Sequence, residues 1–145
     1  MKGKNKTYKD RDSNILQSLP NPVVAEYESR IDVPEFTFLG AHGQPDFGHI
    51  TIWFYAHKKI IELKSLKMYV VHYRDILISY ERAINCIYDD LMDVYEPTRL
   101  RLEIGFRPRG GISSHLVIDS DWKCRGGTDT LWQSHGTSHT PISKI

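Results

Sequence analysis

Cysteine is scarce in this chain: Cys86 and Cys124 are the only two among 145 residues. Two such thiols make neither a disulfide framework nor a metal-binding spacing. The seven histidines (His42, His49, His57, His72, His115, His135 and His139) contain no His-x-His or His-Glu-x-x-His arrangement. No metal site is therefore expected, and His42 with His49 is a weak pair at best. The net charge is only +1, which gives no reason to expect direct nucleic-acid binding through phosphate neutralisation. No apolar run approaches the ~20 residues of a membrane-spanning helix, and nothing at the start reads as a signal peptide. The expectation is a cytoplasmic protein with no membrane partner. The lysines near the N-terminus (Lys2, Lys4, Lys6, Lys9) read as a solvated tail.

What is present is ordinary globular material, 40% hydrophobic and 26% charged, enough for one domain with a modest core. Composition divides it into a polar N-terminal extension (1–19), a single domain (20–122) and a Gly/Ser/Thr-rich C-terminal tail (123–145). The extension is expected to be loose until Pro20-Asn21-Pro22 starts an extended segment. Val23 to Val33 reads as a strand with imperfect alternation. His49 to His57 is clearer, with Ile50, Ile52, Phe54 and Ala56 on one face and Thr51, Trp53 and Tyr55 on the other. Between them Gly40, Gly43 and Pro45 predict a loop over Gly40–Phe47. Leu66, Tyr69, Val70, Tyr73 and Leu77 have helical spacing. Ile84, Ile87, Tyr88, Leu91, Met92 and Tyr95 form a second helix, ended by Pro97. Period two returns at Leu100, Leu102, Ile104 and Phe106; Pro108-Arg109-Gly110-Gly111 makes a turn, and Leu116 and Ile118 mark a last strand. There is no internal repeat. This ββααββ order predicts an α+β fold, an antiparallel sheet with two helices on one face, whose open edges invite pairing with a neighbouring chain.

Three stretches carry more specific information. Phe36-Thr37-Phe38-Leu39-Gly40-Ala41-His42-Gly43-Gln44-Pro45-Asp46-Phe47 is followed by Glu62-Leu63-Lys64-Ser65-Leu66-Lys67-Met68-Tyr69 and by Pro108-Arg109-Gly110-Gly111-Ile112-Ser113. Together they resemble the signature regions of the QueF family, the NADPH-dependent reductases of 7-cyano-7-deazaguanine, over roughly residues 33–120. The resemblance implies the tunnelling fold (T-fold) and a small-molecule 7-deazaguanine base as ligand. It also implies a homo-oligomer of subunit rings, two stacked pentamers, with active sites at the interfaces.

The resemblance also assigns candidate roles. The family's nucleophilic cysteine is replaced here by Gly40, in a loop one residue shorter than the family's usual spacing. A nitrile reductase needs that activated thiol for its covalent intermediate. Cys86 lies among helical packing residues, where a small buried thiol is expected, and Cys124 lies in the tail. Asp46 would on its own be a turn former; within Gln-Pro-Asp-Phe it matches the proton-handling aspartate. Glu81 would on its own be a first-turn helix acid; in the family's His-Glu position, here Tyr80-Glu81, it matches the carboxylate that holds the base's N–H groups. Lys64, Ser65, Lys67 and Arg109 match positions that contribute to NADPH binding, or else build the fold and subunit interface. His42 is either an exposed loop histidine or a group near the C7 substituent.

Three functions follow as expectations. The first is a cofactor-independent decarboxylase of 7-carboxy-7-deazaguanine, resembling the DpdL group of DNA-modification pathways, with catalytic Asp46 and His42 and with Glu81, Tyr80 and Gly40 at the base. The second is an NADPH-dependent reductase of the queuosine pathway. The third is a non-catalytic deazaguanine-binding paralogue.

Overall fold

The computed structural model describes residues 6–128. In chain order its elements are β1 (Ser18–Pro20), β2 (Ser29–Leu39), β3 (Pro45–Tyr55), β4 (Lys59–Ile61), α1 (Leu63–Val71), α2 (Tyr80–Tyr95), β5 (Arg99–Arg109) and β6 (Ile112–Asp119). The main sheet has the order β2-β3-β5-β6, antiparallel throughout. The short β1 and β4 pair with each other. This is the α+β build expected from the alternation of periods.

One face of the sheet carries Phe36 and Phe38 from β2, Ile50, Ile52 and Phe54 from β3, and Leu100, Leu102, Ile104 and Phe106 from β5, all buried. The helices cover this face with Leu66, Tyr69 and Val70 of α1 and with Ala83, Ile84, Ile87, Leu91 and Tyr95 of α2. Each fully buried Ile, Leu or Phe contributes roughly 1.5–3 kcal/mol. Glu62 caps α1 by accepting from the amides of Lys64 and Ser65, and Ser79 caps α2 by accepting from that of Arg82. The second helix stops where Glu96 turns left-handed (φ 46°) before Pro97.

Several boundaries differ from the sequence reading. The first long strand begins at Ser29, not Val23, and continues to Leu39. Before it, Asn21 accepts hydrogen bonds from the Val23 amide and the Tyr27 hydroxyl, which hold that stretch irregular. An extra residue in β2 between Val33 and Phe36 shifts its register against β3. The bulge reverses the inward parity from Ile31 and Val33 to Phe36 and Phe38, which accounts for the imperfect alternation. The expected loop is shorter than Gly40–Phe47, because Pro45, Asp46 and Phe47 already belong to β3. The first helix ends at Val71; His72–Asp75 form a tighter 3₁₀ turn, and Leu77 lies beyond it, its amide donating to the Lys6 carbonyl.

The N-terminal stretch is not loose where it is described. It makes 3₁₀ turns at Tyr8–Asp10 and Ser13–Ile15, buries Leu16, and pairs β1 with β4. Arg11 pairs with buried Asp90, and the Gln17 amide donates to the Ser65 hydroxyl. Of the expected tail, Lys123–Arg125 form a short 3₁₀ turn. Residues 129–145, with His135 and His139, lie outside the described residues, as do Lys2 and Lys4. Among the described residues no helix is long and apolar enough to cross a membrane.

Candidate functional site

Strand periodicity delivers Asp46 to an unusual place. In β3 the core-facing residues run Asp46, Gly48, Ile50, Ile52, Phe54, so the carboxylate extends the apolar row at the open end of the sheet–helix layer. It is only 4% exposed. The preceding loop closes tightly: the Gly40 amide donates to the Gln44 carbonyl and the Gly43 amide to the Gly40 carbonyl, each at 2.8 Å. Gly43 adopts φ +80°, a conformation that favours glycine.

A second bulge delivers Arg109. Between Phe106 and Arg109, β5 carries one more residue than β6, at Arg107-Pro108, where proline cannot donate to the ladder. The shift turns Arg109 toward the end of the core that Phe106 occupies, and its Nη1 donates to Asp46 Oδ1 at 3.3 Å and to the Pro45 carbonyl at 3.2 Å. Gly110 and Gly111 (φ +60° and +82°) then make the tight hairpin turn into β6.

Tyr80 opens α2 and completes the wall. Its ring stacks on Phe106 (centroids 4.1 Å apart, 10° between planes) and meets the edge of Phe38 at 5.9 Å. Its hydroxyl donates to Asp46 Oδ1 at 3.3 Å. Desolvation, then the neighbouring Asp46 carboxylate, push the phenol above its ordinary value, so it remains a donor. Beside it Glu81 is exposed in the first turn of the helix. Gly40, Gln44, Asp46, Tyr80, Glu81 and Arg109 line one cavity of about 270 Å³.

The floor of this cavity explains the glycine. A Cβ at position 40 would stand 2.3 Å from Gln44 Nε2 and 2.8 Å from Asp46 Oδ2. The Gln44 amide therefore fills the space a side chain at position 40 would need. Its Oε1 is buried without a hydrogen-bond partner, a state that costs about 1–3 kcal/mol. Sequence reasoning passed over Gln44 as part of a motif; only the fold shows where its side chain goes.

The structure thus gathers Gly40, Asp46, Tyr80, Glu81 and Arg109, and adds Gln44. It does not bring His42 to the lining, which stands exposed at the turn. Lys64, Ser65 and Lys67 lie on α1, outside this cavity. Ser65 is buried, its hydroxyl donating to the Glu62 carbonyl and accepting from the Gln17 amide. Arg109 is engaged by Asp46 and Pro45. Of the four residues matched to NADPH binding, that leaves the exposed Lys64 and Lys67, a pair of cations rather than a dinucleotide cradle within one subunit. Lys67 borders a more apolar groove of about 360 Å³ between α1 and the bulged part of β2. Among the described residues no three His, Cys, Asp or Glu side chains are grouped to hold a metal ion. Cys86 is a buried helical thiol, and desolvation raises its pKa above the ordinary value.

Comparison with known proteins agrees with this architecture. A family model described as QueF-like protein matches residues 45–125. A protein named NADPH-dependent 7-cyano-7-deazaguanine reductase from Prochlorococcus marinus (strain MIT 9515) is 43% identical over 98 residues, covering 67% of this chain and 72% of that protein. One of the same name from Nitrosomonas europaea is 41% identical over 109 residues, covering 74% and 78%. The solved structure of the archaeosine synthase QueF-Like in its apo form superposes with a TM-score of 0.60 at 12% identity, covering 63% of this chain and 91% of that one. At that identity the likeness concerns the fold alone.

Proposed function

We propose that this chain, which belongs to the QueF family of 7-deazaguanine metabolism and has Gly40 at the position that the resemblance matches to the family's thiol, decarboxylates 7-carboxy-7-deazaguanine. The product would be 7-deazaguanine for DNA modification, as in the DpdL group it resembles. The observation that supports this most is the pairing of buried Asp46 with Arg109 over a floor without a nucleophile.

The chemistry asks for a held base, a bound carboxylate and one proton. Glu81, exposed at the cavity rim, offers two acceptor oxygens to the adjacent N–H groups of the guanine edge. Arg109 offers a cation to the substrate carboxylate. That carboxylate and Asp46 are like charges in a confined space, and such a pair favours holding one shared proton over two charges. Asp46 gives this proton to C7 as a general acid. The C7–carboxylate bond then breaks, its electron pair returns to the ring, carbon dioxide leaves, and water reprotonates the aspartate. Tyr80 positions Asp46 through its hydroxyl. His42, exposed at the loop, has a part here only if substrate or a neighbouring subunit draws the turn inward.

The edge strands β2 and β6 support a homo-oligomeric ring, with two stacked pentamers as the form proposed; the rim glutamate would then face a neighbouring subunit. The runner-up reading is an NADPH-dependent reductase. It is favoured by the names of the relatives and by exposed Lys64 and Lys67, which can meet phosphates. Incubating the purified protein with carboxy- and cyano-deazaguanine, with and without NADPH, and identifying products by mass separates the two. Loss of the carboxyl group without NADPH is the expected result. Reduction of the nitrile with NADPH consumption favours the runner-up.

A further inference from the structure

The amide of Gln44 takes no part in the proton relay described above, yet it borders the same point in space. The position of a Cβ on Gly40 lies 2.3 Å from Gln44 Nε2 and 2.8 Å from Asp46 Oδ2. The amide and the proton-handling carboxylate therefore flank one small volume at the cavity floor. A group that delivers a proton to C7 must stand within reach of C7, so whatever flanks it faces the substituent on that carbon. The Gln44 Oε1 is buried with no partner, although Gln44 lines the cavity. Oε1 is an acceptor and a carboxylate offers it no donor, so it marks the amide as held without local partners. The group that can meet an anion at the cavity floor is the Nε2 donor, beside Gly40 and Asp46.

We propose that Gln44 is the specificity-determining residue for the C7 substituent, reading a planar carboxylate through its amide, a role that rests on the decarboxylase reading above. The Nε2 group donates to one carboxylate oxygen while Arg109 meets the other. A linear nitrile ends in a single nitrogen lone pair along its axis and cannot take both donors at these positions. Gly40 is required for this arrangement because any larger residue displaces the amide.

The test is calorimetric titration of the full-length protein with three ligands: 7-carboxy-7-deazaguanine, 7-cyano-7-deazaguanine and unsubstituted 7-deazaguanine. In Gln44→Ala, affinity for the carboxy ligand falls about tenfold or more, the loss of one hydrogen bond to a charged group. Affinity for the unsubstituted base changes by less than about twofold, since no group on it meets the amide. Gln44→Glu keeps the reach but replaces a donor by an anion, and weakens the carboxy ligand further. Gly40→Ala reproduces the selective loss with Gln44 intact, by pushing its amide aside. Thermal melts identify any variant that fails to fold, and the remaining variants then carry the comparison. Unchanged carboxy affinity in Gln44→Ala, or equal weakening of all three ligands, overturns the proposal and leaves the decarboxylase reading standing. If the unaltered protein binds none of the three, the decarboxylase reading itself fails, and this one with it.

Discussion

Two buried carboxylates, Asp46 and Asp119, are held in opposite ways. Asp119 is fully buried on the sheet face opposite the helices. It accepts from Arg99 Nε and Nη2 at 3.1 and 2.6 Å, from Arg101 Nη1 at 3.1 Å and from the Asp121 amide at 2.9 Å. Burial alone would raise its pKa, but the hydrogen bonds from Arg99 and the Asp121 amide outweigh that and hold it below the usual carboxylate value. Asp46 is nearly as buried, yet its two side-chain contacts, from Tyr80 and Arg109, are both 3.3 Å long. Its cation has a side chain 45% exposed. A saturated, desolvated ion cluster is architecture. A buried carboxylate on long contacts beside a cavity can exchange partners when a ligand arrives.

Substitution should separate the two most sharply in stability. Asp119→Ala strips Arg101, 2% exposed, of one of its two counter-charges and leaves it only Glu103; breaking such a buried pair costs about 3–5 kcal/mol. Urea unfolding should show that loss. Asp46→Asn should cost no more than about 1 kcal/mol in the same assay, because its contacts are long.

Turnover reverses the ranking. Asp46→Asn keeps shape and hydrogen bonding but cannot donate a carboxylic proton, so carbon dioxide release should fall at least about a hundredfold. Binding of the carboxy base should hold or tighten as the like-charge repulsion disappears. Steady-state kinetics paired with calorimetry reads both quantities. A stability loss matching the activity loss would mean that Asp46 is architecture too.

Glu81→Ala should act chiefly on affinity. A hydrogen bond to a charged group is worth about 1.5–3 kcal/mol, which means a ten- to hundredfold weaker base. The exposed helix-terminal charge contributes only about 0.3–1 kcal/mol to folding. A lowered melting temperature with unchanged affinity would assign Glu81 to the helix dipole.

The smallest effect is a pH dependence to which the ion cluster contributes. Burial would raise Glu103, but hydrogen bonds from His115 and Arg101 hold it below its ordinary value, as Asp119 is also held. Their stabilisation is present above about pH 4 and is lost as pH falls through their depressed folded values. His115 is shifted the other way, raised chiefly by its hydrogen bond to Glu103. Its contribution is full below about pH 6.5 and fades as pH rises through the raised value. Melting temperature against pH should therefore decline at both ends, and His115→Gln should remove the alkaline decline and lessen the acid one, since His115 also holds Glu103 down.

The apolar rows were readable in the sequence because burial imposes periods of 2.0 and 3.6. Ile50, Ile52, Phe54 and the stripe from Ile84 to Tyr95 point where their spacing says. The exceptions have local causes. Two bulges, at Pro34-Glu35 and Arg107-Pro108, shift strand parity without any change in composition. The second carries Arg109 to Asp46, a contact that its match to cofactor binding, or else to the fold and subunit interface, did not contain. The polar N-terminal stretch looked loose because its anchors are single long-range contacts, Arg11 to Asp90 and Gln17 to Ser65, which leave no periodic trace. Arg101 and Glu103, the charged half of an alternating strand, are buried by pairing with each other and, for Arg101, with Asp119 on the neighbouring strand. The site's motifs were visible as residues, but the filling of Gly40's space by Gln44 is a fact of three dimensions.

The most direct measurement uses 7-deazaguanine carrying a ¹³C-labelled C7 carboxylate, incubated with the protein and no NADPH, with labelled carbon dioxide followed over time. Catalytic release that is lost in Asp46→Asn is the expected result. No release, together with stoichiometric NADPH consumption on the cyano substrate, would contradict it.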